Sequence, residues 1–154
     1  ALLETESWDD VISRNLRSAF LISKAAMPLL KASGAGAIVH TASGAAYRGI
    51  PGVGSYTAAK AGIIGFTRAW TLELGIYGIT VNAVAPGPIE TPMFTKNHPP
   101  GSAKRAARVS SLAVGRFGKP EEVADAVVWL ASPRASWVIG ATLPVDGAQS
   151  RSGT

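Results

Sequence analysis

Residues 37–84, AIVHTASGAAYRGIPGVGSYTAAKAGIIGFTRAWTLELGIYGITVNAV, contain two short apolar segments separated by one long amphipathic segment. The first, AIVHTA at 37–42, and the last, ITVNAV at 79–84, are continuous and rich in β-branched residues, which is typical of buried parallel strands. Residues 55–74 have the length and spacing of a helix, and Gly75 and Gly78 end it. This stretch therefore predicts a strand, a crossover helix and a second parallel strand.

The same alternation continues on both sides of this unit. Apolar residues recur at helical spacing over residues 7–32, where Ser7 and Asp10 are spaced as in a capping box. Toward the other end, a helix is predicted from Pro120 to about Ala131, and residues 142–145 form a last strand. The fold class is therefore α/β, and we expect residues 1–154 to form a single partial domain.

Composition limits the function classes. Of the 154 residues, 47% are apolar and 16% are charged, which is typical of a globular chain. The chain has no cysteine, so disulfides and thiolate metal sites are excluded, and we expect no metal site. We also expect no membrane span, because no apolar run approaches ~20 residues. We expect the protein to be cytoplasmic. The chain begins at Ala1 without Met and soon enters a helix, so we expect a fragment.

Basic residues concentrate in one stretch that contains no acid among them: Lys104, Arg105, Arg108, Arg116 and Lys119. Binding of nucleic acid requires a basic face with stacking aromatic side chains, and we expect no such partner here. The stretch is interpreted as a solvated, mobile surface segment, with an anionic substrate or a cofactor phosphate as the functional alternative.

Tyr56 and Lys60 are the strongest candidates for chemistry. Four residues apart on a helix, they share one face and lie about 6 Å apart along the axis. A free phenol has a pKa of about 10, and a nearby ammonium lowers the pKa of a phenol. Such a pair can donate and accept a proton near neutral pH. Taken alone, the spacing occurs often by chance, and on an exposed helix it would carry no function.

Two further polar residues support this candidate. Ser43 follows the first predicted strand, at the sheet edge where α/β proteins bind ligands, and its hydroxyl can bond a substrate carbonyl. Asn15 lies near the buried side of the first helix, where an amide must be hydrogen-bonded. Ser43 could equally be a turn serine, and Asn15 could be a satisfied core residue at a kink.

The segment PGPIET at 86–91 follows the second strand at the same edge of the sheet. Its prolines stiffen the turn, Gly87 allows a flat ring to approach closely, and Thr91 can bond an amide. On its own, the segment is equally consistent with a simple turn.

Together these residues resemble the short-chain dehydrogenase/reductase family. The resemblance rests on Asn15 in RNLRSAF, Ser43 ending AIVHTAS, YTAAK at 56–60, GITVNAVAPGPIETPM, RFGKPEEVA and the closing WVIGATLPVDGA, in order and at the family's spacing. It implies the C-terminal part of a doubly wound Rossmann-type parallel sheet, with about three strands in this chain. It also implies an oxidoreductase that interconverts a hydroxyl and a carbonyl on a small molecule, with NAD or NADP as cofactor.

The resemblance assigns roles to individual residues. Tyr56 would be the general acid and base, Lys60 would lower the pKa of the phenol and hold the nicotinamide ribose, Ser43 would orient the substrate oxygen and Asn15 would position a relay water. The residues lining the nicotinamide would be Pro86, Gly87, Ile89 and Thr91, together with Tyr56 and Lys60. Residues 92–118 would form the substrate lid. The helices at about 7–32 and 55–74 would join subunits in a homodimer or homotetramer.

One element of the family is missing from these residues. No Gly-x-Gly-x-x-Gly follows a strand, and the residue that separates NAD from NADP is not among them. As an isolated piece the chain is therefore expected to be inactive and to self-associate.

Two other functions remain open from sequence. A non-catalytic dimerisation or assembly module could use the long helices without cofactor. A serine hydrolase could use Ser43 with His40 or His98, although the local sequence lacks the Gly-x-Ser-x-Gly elbow.

Overall fold

The computed structural model describes residues 3–150, and three parallel strands form its centre. The strands are β1 (Ala37–Thr41), β2 (Thr80–Pro86) and β3 (Thr142–Val145), in the order β1-β2-β3. The register pairs Ile38 with Val81 and Val84 with Leu143. The predicted α/β fold with about three parallel strands is confirmed.

Helices cover the sheet and connect its strands. They are α1 (Thr5–Ile12), α2 (Ser18–Ser33), α3 (Gly54–Leu74), α4 (Pro92–Asn97), α5 (Ala103–Ser110) and α6 (Pro120–Leu130). A π-helical turn over Ser13–Arg17 joins α1 to α2, and Gly34 ends α2 with a φ of 65°. Within the described residues, no helix has the length and apolar character needed to cross a membrane.

The core lies between α3 and the sheet. Ala83 and Ala85 of β2 pack against Ile63 and Ile64 of α3, and all four side chains are buried. Because side chains alternate along a strand, Asn82 and Val84 face the opposite side of the sheet. Asn82 is fully buried and bridges the chain before β3: Nδ2 donates to Val138 O at 2.6 Å, and Oδ1 accepts from Ala141 N at 3.0 Å.

One expectation about local structure was wrong. The first helix begins at Thr5, and Glu4 precedes it without a side-chain cap, so Ser7 and Asp10 lie inside the helix and form no capping box. The interval after β2 contains two short helices, α4 and α5. Thr91 caps α4 by accepting a bond from Phe94 N at 3.3 Å, and Pro92 takes the first helical position.

His40 lies in the core, where hydrogen bonds set the tautomer of its neutral ring. Thr67 Oγ1 donates to Ile63 O at 2.8 Å, so it accepts from His40 Nδ1 at 2.9 Å. In the neutral ring Nε2 then accepts from Ser23 Oγ at 3.1 Å, and the ring stacks on Phe66. A neutral imidazole thus has partners for both ring nitrogens. Burial lowers the pKa of His40 accordingly.

This network predicts an acid-sensitive fold. Because the pKa of His40 is lower in the folded protein than in the unfolded chain, the unfolded chain takes up the proton first. The contribution of the neutral ring to the free energy of unfolding is therefore fully present above pH ~6.5. It is lost as the pH falls below that value, at up to about 1.4 kcal/mol per pH unit. Urea unfolding of the full-length protein between pH 5 and 8 should show a shallower acid limb in His40→Gln. The control His98→Gln should keep the wild-type slope, and equal slopes in all three proteins would contradict this account of His40.

Candidate active site

A cavity of about 390 Å³ opens at the carboxyl edge of the sheet. Residues that follow all three strands contribute to it, because the carboxyl ends of parallel strands meet at one edge. Tyr56 enters from the first turn of α3. The lining residues are Ser43, Ala45, Ile50, Val53, Tyr56, Pro86, Gly87, Pro88, Phe94, Arg108 and Gln149. Polar groups converging on a mostly apolar cavity are typical of a small-molecule site.

Tyr56 and Lys60 lie on one face of α3, as their spacing predicts. The Lys60 ammonium is 5.6 Å from the centroid of the Tyr56 ring. Its Nζ donates to Thr41 O at 2.9 Å, which holds the charge at the end of β1. Lys60 is half-buried, and burial lowers its pKa because the charged form is poorly solvated there. The geometry thus places a positive charge next to the phenol.

Ser43 lies two residues beyond β1 and is half-buried in the cavity wall. Its Oγ accepts a bond from Ala45 N at 3.2 Å and begins a short 3-10 turn over Gly44–Tyr47. The hydroxyl hydrogen is not used by this contact, so Ser43 can still donate to a ligand. Ser43 can therefore stabilise the turn and bind a ligand at the same time.

Asn15 does not line the cavity but lies in the π-helical turn between α1 and α2. Its Nδ2 donates to Val11 O at 3.0 Å, so the amide satisfies a backbone carbonyl at this irregular turn. The turn is pressed against α3, because a Cβ added to Gly62 would lie 2.8 Å from Leu16. Asn15 thus lies on the helix next to the one that carries Lys60.

The turn after β2 divides between two cavities. Pro86 and Gly87 line the cavity that contains Tyr56, whereas Ile89 lines a neighbouring one of about 130 Å³. A Cβ added to Gly87 would lie 2.7 Å from the Asp146 Cα, so the fold itself requires glycine at this position. Thr91 uses its hydroxyl oxygen to cap α4.

Residues 92–118 leave the sheet edge and return to it. Gly118 N donates to Pro88 O at 3.0 Å and Glu90 N donates to Gly118 O at 2.8 Å, so the two ends are tied together beside the site. Phe94 and Arg108 from this segment line the cavity. Phe94 also packs edge-on against Phe117, with ring centroids 4.9 Å apart.

The basic stretch is not uniformly a solvated surface. Arg105 pairs with Glu90 at 2.5 Å and Arg116 pairs with Glu122 at 2.7 Å, so two of its cations are matched by acids outside the stretch. The Arg116 guanidinium and the Lys119 amide both bond Glu122 and hold its pKa at about 2. Arg108 faces the cavity instead. The basic stretch is therefore not a uniformly solvated segment, because Arg105 and Arg116 are paired with acids and Arg108 lines the cavity.

Neither histidine can act as a base for Ser43. Both ring nitrogens of His40 are bonded to Ser23 and Thr67 in the core. His98 stacks on Phe94, and its Nδ1 lies 3.3 Å from Phe94 O. This arrangement gives no support to a serine hydrolase. Within residues 3–150, no three His, Asp or Glu side chains gather as a metal site would require.

Two polar residues at this edge of the sheet were not anticipated from sequence. Gln149, which follows β3, lines the cavity, and Arg48, from the loop after β1, contacts Gln149. Their positions could have indicated them, because both lie in loops that follow the carboxyl end of a strand.

Comparison with known proteins shows the family of the chain. The family described as enoyl-(acyl carrier protein) reductase matches residues 1–148. The 3-oxoacyl-[acyl-carrier-protein] reductase of Thermotoga maritima is 43% identical over 145 residues, which are 94% of this chain and 58% of that protein. This chain belongs to the short-chain dehydrogenase/reductase family.

Solved structures of short-chain dehydrogenases/reductases superpose closely on the chain. An Agrobacterium tumefaciens protein with bound NADP gives a TM-score of 0.90 at 38% identity, covering 96% of this chain and 60% of that one. A 3-oxoacyl-[acyl-carrier protein] reductase from Brucella melitensis with bound NAD gives 0.85 at 37% identity, covering 95% and 53%. The Rossmann-type fold is thereby confirmed, and the chain spans a little over half the length of these relatives.

Proposed function

We propose that the full-length protein is an NAD(P)-dependent oxidoreductase that interconverts a carbonyl and a hydroxyl at the cavity containing Tyr56. One observation carries the proposal: Tyr56 and Ser43 line a single cavity, and Lys60 holds a positive charge 5.6 Å from the phenol ring. The family of the chain and the NADP and NAD bound to its structural neighbours support the same reaction.

In the direction of reduction, a substrate carbonyl oxygen lies between Tyr56 and Ser43. A bound NADH or NADPH would supply the hydride that the carbonyl carbon accepts. The Ser43 hydroxyl donates a hydrogen bond to the oxygen, and Tyr56 transfers its phenolic proton to that oxygen as negative charge develops there. In oxidation the phenolate of Tyr56 removes the same proton from the alcohol.

Lys60 and Asn15 serve the proton transfer. The ammonium of Lys60, held by Thr41 O, would stabilise the negative charge that develops on the Tyr56 oxygen during proton transfer. Because Asn15 uses Nδ2 within its own helix, its Oδ1 would hold the water that returns protons toward Lys60. This role makes Asn15 a positioning residue.

The turn after β2 suits a flat ring. Gly87 presents bare backbone to the cavity, and the contact with Asp146 forbids any side chain there. Pro86 and Gly87 would contact the nicotinamide ring, with Ile89 and Thr91 beside its carboxamide and Lys60 on the ribose. The choice between NAD and NADP does not depend on these residues.

We propose that residues 92–118 form the substrate lid. Their two ends are tied together next to the cavity, and Phe94 and Arg108 reach into it. The substrate would be a small-molecule alcohol or ketone enclosed by this segment. The reaction uses no nucleic acid or membrane, and we place it in the cytoplasm.

The long helices are proposed to join subunits in a homodimer or homotetramer. Large apolar side chains are exposed on both, including Ile22 and Leu29 on α2 and Leu72 on α3, each at least 70% accessible. Such surfaces are typical of protein interfaces.

Ser43→Ala in the full-length protein tests the role of the hydroxyl. Loss of one donor to the reacting oxygen should lower kcat for carbonyl reduction by about 10²-fold. Ser43→Thr keeps both the hydroxyl and the bond to Ala45 N, and it should recover most of the activity. Wild type and both variants should show no ester hydrolysis. If wild type hydrolyses esters, and Ser43→Ala abolishes that hydrolysis without affecting carbonyl reduction, Ser43 is the nucleophile of a hydrolase and the proposed role is wrong.

A further inference from the structure

Arg48 and Arg108 differ from the third half-buried arginine that the structure describes, Arg105. Arg105 is bonded to the Glu90 carboxylate. Within residues 3–150, neither Arg48 nor Arg108 forms an ion pair with a carboxylate. The Nε of Arg48 is also buried without a hydrogen-bond partner. Two cations at one site are therefore left without a matching anion from the described part of the chain.

A neutral amide brings these two guanidinium groups together. With its oxygen toward the arginines, Gln149 accepts from Arg48 Nη2 at 2.9 Å and from Arg108 Nη2 and Nη1 at 2.5 and 3.1 Å. Gln149 is 4% exposed and, like Arg108, lines the cavity that contains Tyr56. The three residues come from the loop after β1, helix α5 and the loop after β3.

Like charges held this close oppose each other. Burial and the positive charge of Arg48 both lower the pKa of Arg108. An anion in the cavity would relieve this repulsion and would supply the acceptor that guanidinium groups bind best.

We propose, resting on the function given above, that the substrate is a carbonyl or hydroxyl compound with an anionic end group, bound by Arg108 with the added charge of Arg48. The reacting carbon lies at Tyr56 and Ser43, and the carboxylate or phosphate lies at the arginines. Arg48 and Arg108 thus determine specificity and take no part in proton transfer.

A purely structural role for the arginine pair makes a different prediction. If the two arginines and Gln149 only fastened the lid to the neighbouring loops, their loss would slow charged and neutral substrates alike. The anionic-substrate proposal requires the loss to fall on charged substrates alone.

The test uses matched substrates that differ only in charge. The full-length protein is assayed by NADH and NADPH oxidation with acetoacetate, levulinate and 5-oxohexanoate, and with their methyl esters. Dihydroxyacetone phosphate and dihydroxyacetone form the phosphate arm. We expect a preferred acid, or the phosphate, to exceed its neutral partner in kcat/KM by at least about 10-fold.

Arg108→Gln should then lower kcat/KM for the preferred anion by about 10–100-fold, mainly by raising KM. The kcat/KM for the neutral partner should change by less than about 3-fold. Arg48→Gln should act in the same direction with a smaller effect. Arg134→Gln removes an exposed arginine that follows α6 and does not line the cavity; it is the matched control and should leave kcat/KM for all substrates unchanged.

The outcomes separate this inference from the proposed function. Reduction of neutral ketones at rates equal to or above those of their charged partners, or equal losses for both in Arg108→Gln, would overturn the anionic-substrate proposal and leave the oxidoreductase intact. Failure to reduce any carbonyl with either cofactor would overturn both.

Discussion

Replacing Tyr56 by Phe in the full-length protein is expected to lower kcat by about 10²–10⁴-fold, the range that one positioned general acid contributes. Only the phenolic oxygen is lost, and the ring that lines the cavity stays. KM should change little because the hydroxyl acts mainly in the transition state. The free energy of unfolding should stay within about 0.5 kcal/mol of wild type. Steady-state kinetics and urea unfolding on the same preparation measure both quantities.

Tyr77→Phe is the matched control for that substitution. The ammonium of Lys31 lies 3.7 Å from the centroid of the Tyr77 ring, closer than Lys60 is to Tyr56. Tyr77 does not line the cavity, so proximity to a lysine alone should give it no role. Wild-type turnover in Tyr56→Phe, or an equal loss in Tyr77→Phe, would end the assignment of Tyr56 as the acid and base.

Lys60→Met is expected to produce the second-largest effect. It keeps the length of the side chain and removes the positive charge that Thr41 O holds beside the phenol. Negative charge that develops during proton transfer then has no neighbouring cation. The value of kcat at pH 7 should fall by at least about 10-fold, which corresponds to about 1.4 kcal/mol in the activation barrier.

Two variants sharpen this test. Lys60→Arg keeps the charge and should recover part of the lost kcat. Lys24→Met removes an ammonium that also lies 5.6 Å from an aromatic ring, that of Phe20, but on α2 away from the cavity. It should leave kcat unchanged. Wild-type kcat in Lys60→Met would show that the ammonium does not act on the proton transfer.

The regular elements could be predicted because their sequence signals are local. The last strand was expected at 142–145 and lies there, since Gly140 precedes it and apolar residues fill it. Helix α3 was expected over 55–74 and begins one residue earlier. The π-helical turn at Ser13–Arg17 was not predicted from sequence. One extra residue shifts the phase of the apolar pattern by about 100°, and the short runs of apolar residues on either side do not reveal such a shift. Helix α4 has only six residues, too few for any periodicity to show.

The site was predictable where residues are close in sequence or follow a strand. Tyr56 and Lys60 are one helical turn apart, and Ser43 and Gly87 follow the neighbouring strands β1 and β2. The meeting of Arg48, Arg108 and Gln149 could not be predicted, because these residues are separated by 60 and 41 positions and share no motif. Their proximity depends on how the segment between β2 and α6 folds back over the sheet edge.

The assembly-module alternative predicts that the full-length protein binds neither NAD nor NADP, whereas the oxidoreductase must bind one of them. The exposed apolar side chains of α2 and α3 are compatible with it, and they are equally compatible with an oligomeric enzyme. What separates the two functions is the cavity at the sheet edge, because an assembly module has no need for polar side chains that converge on a mostly apolar cavity.

The most direct test is an experimental structure of the full-length protein with bound NADP and a substrate ketone or alcohol. The account predicts the nicotinamide ring against Pro86 and Gly87, with the substrate oxygen within about 3.5 Å of both Tyr56 Oη and Ser43 Oγ. A nicotinamide bound at another edge of the sheet, or a substrate oxygen out of reach of Tyr56, would contradict it.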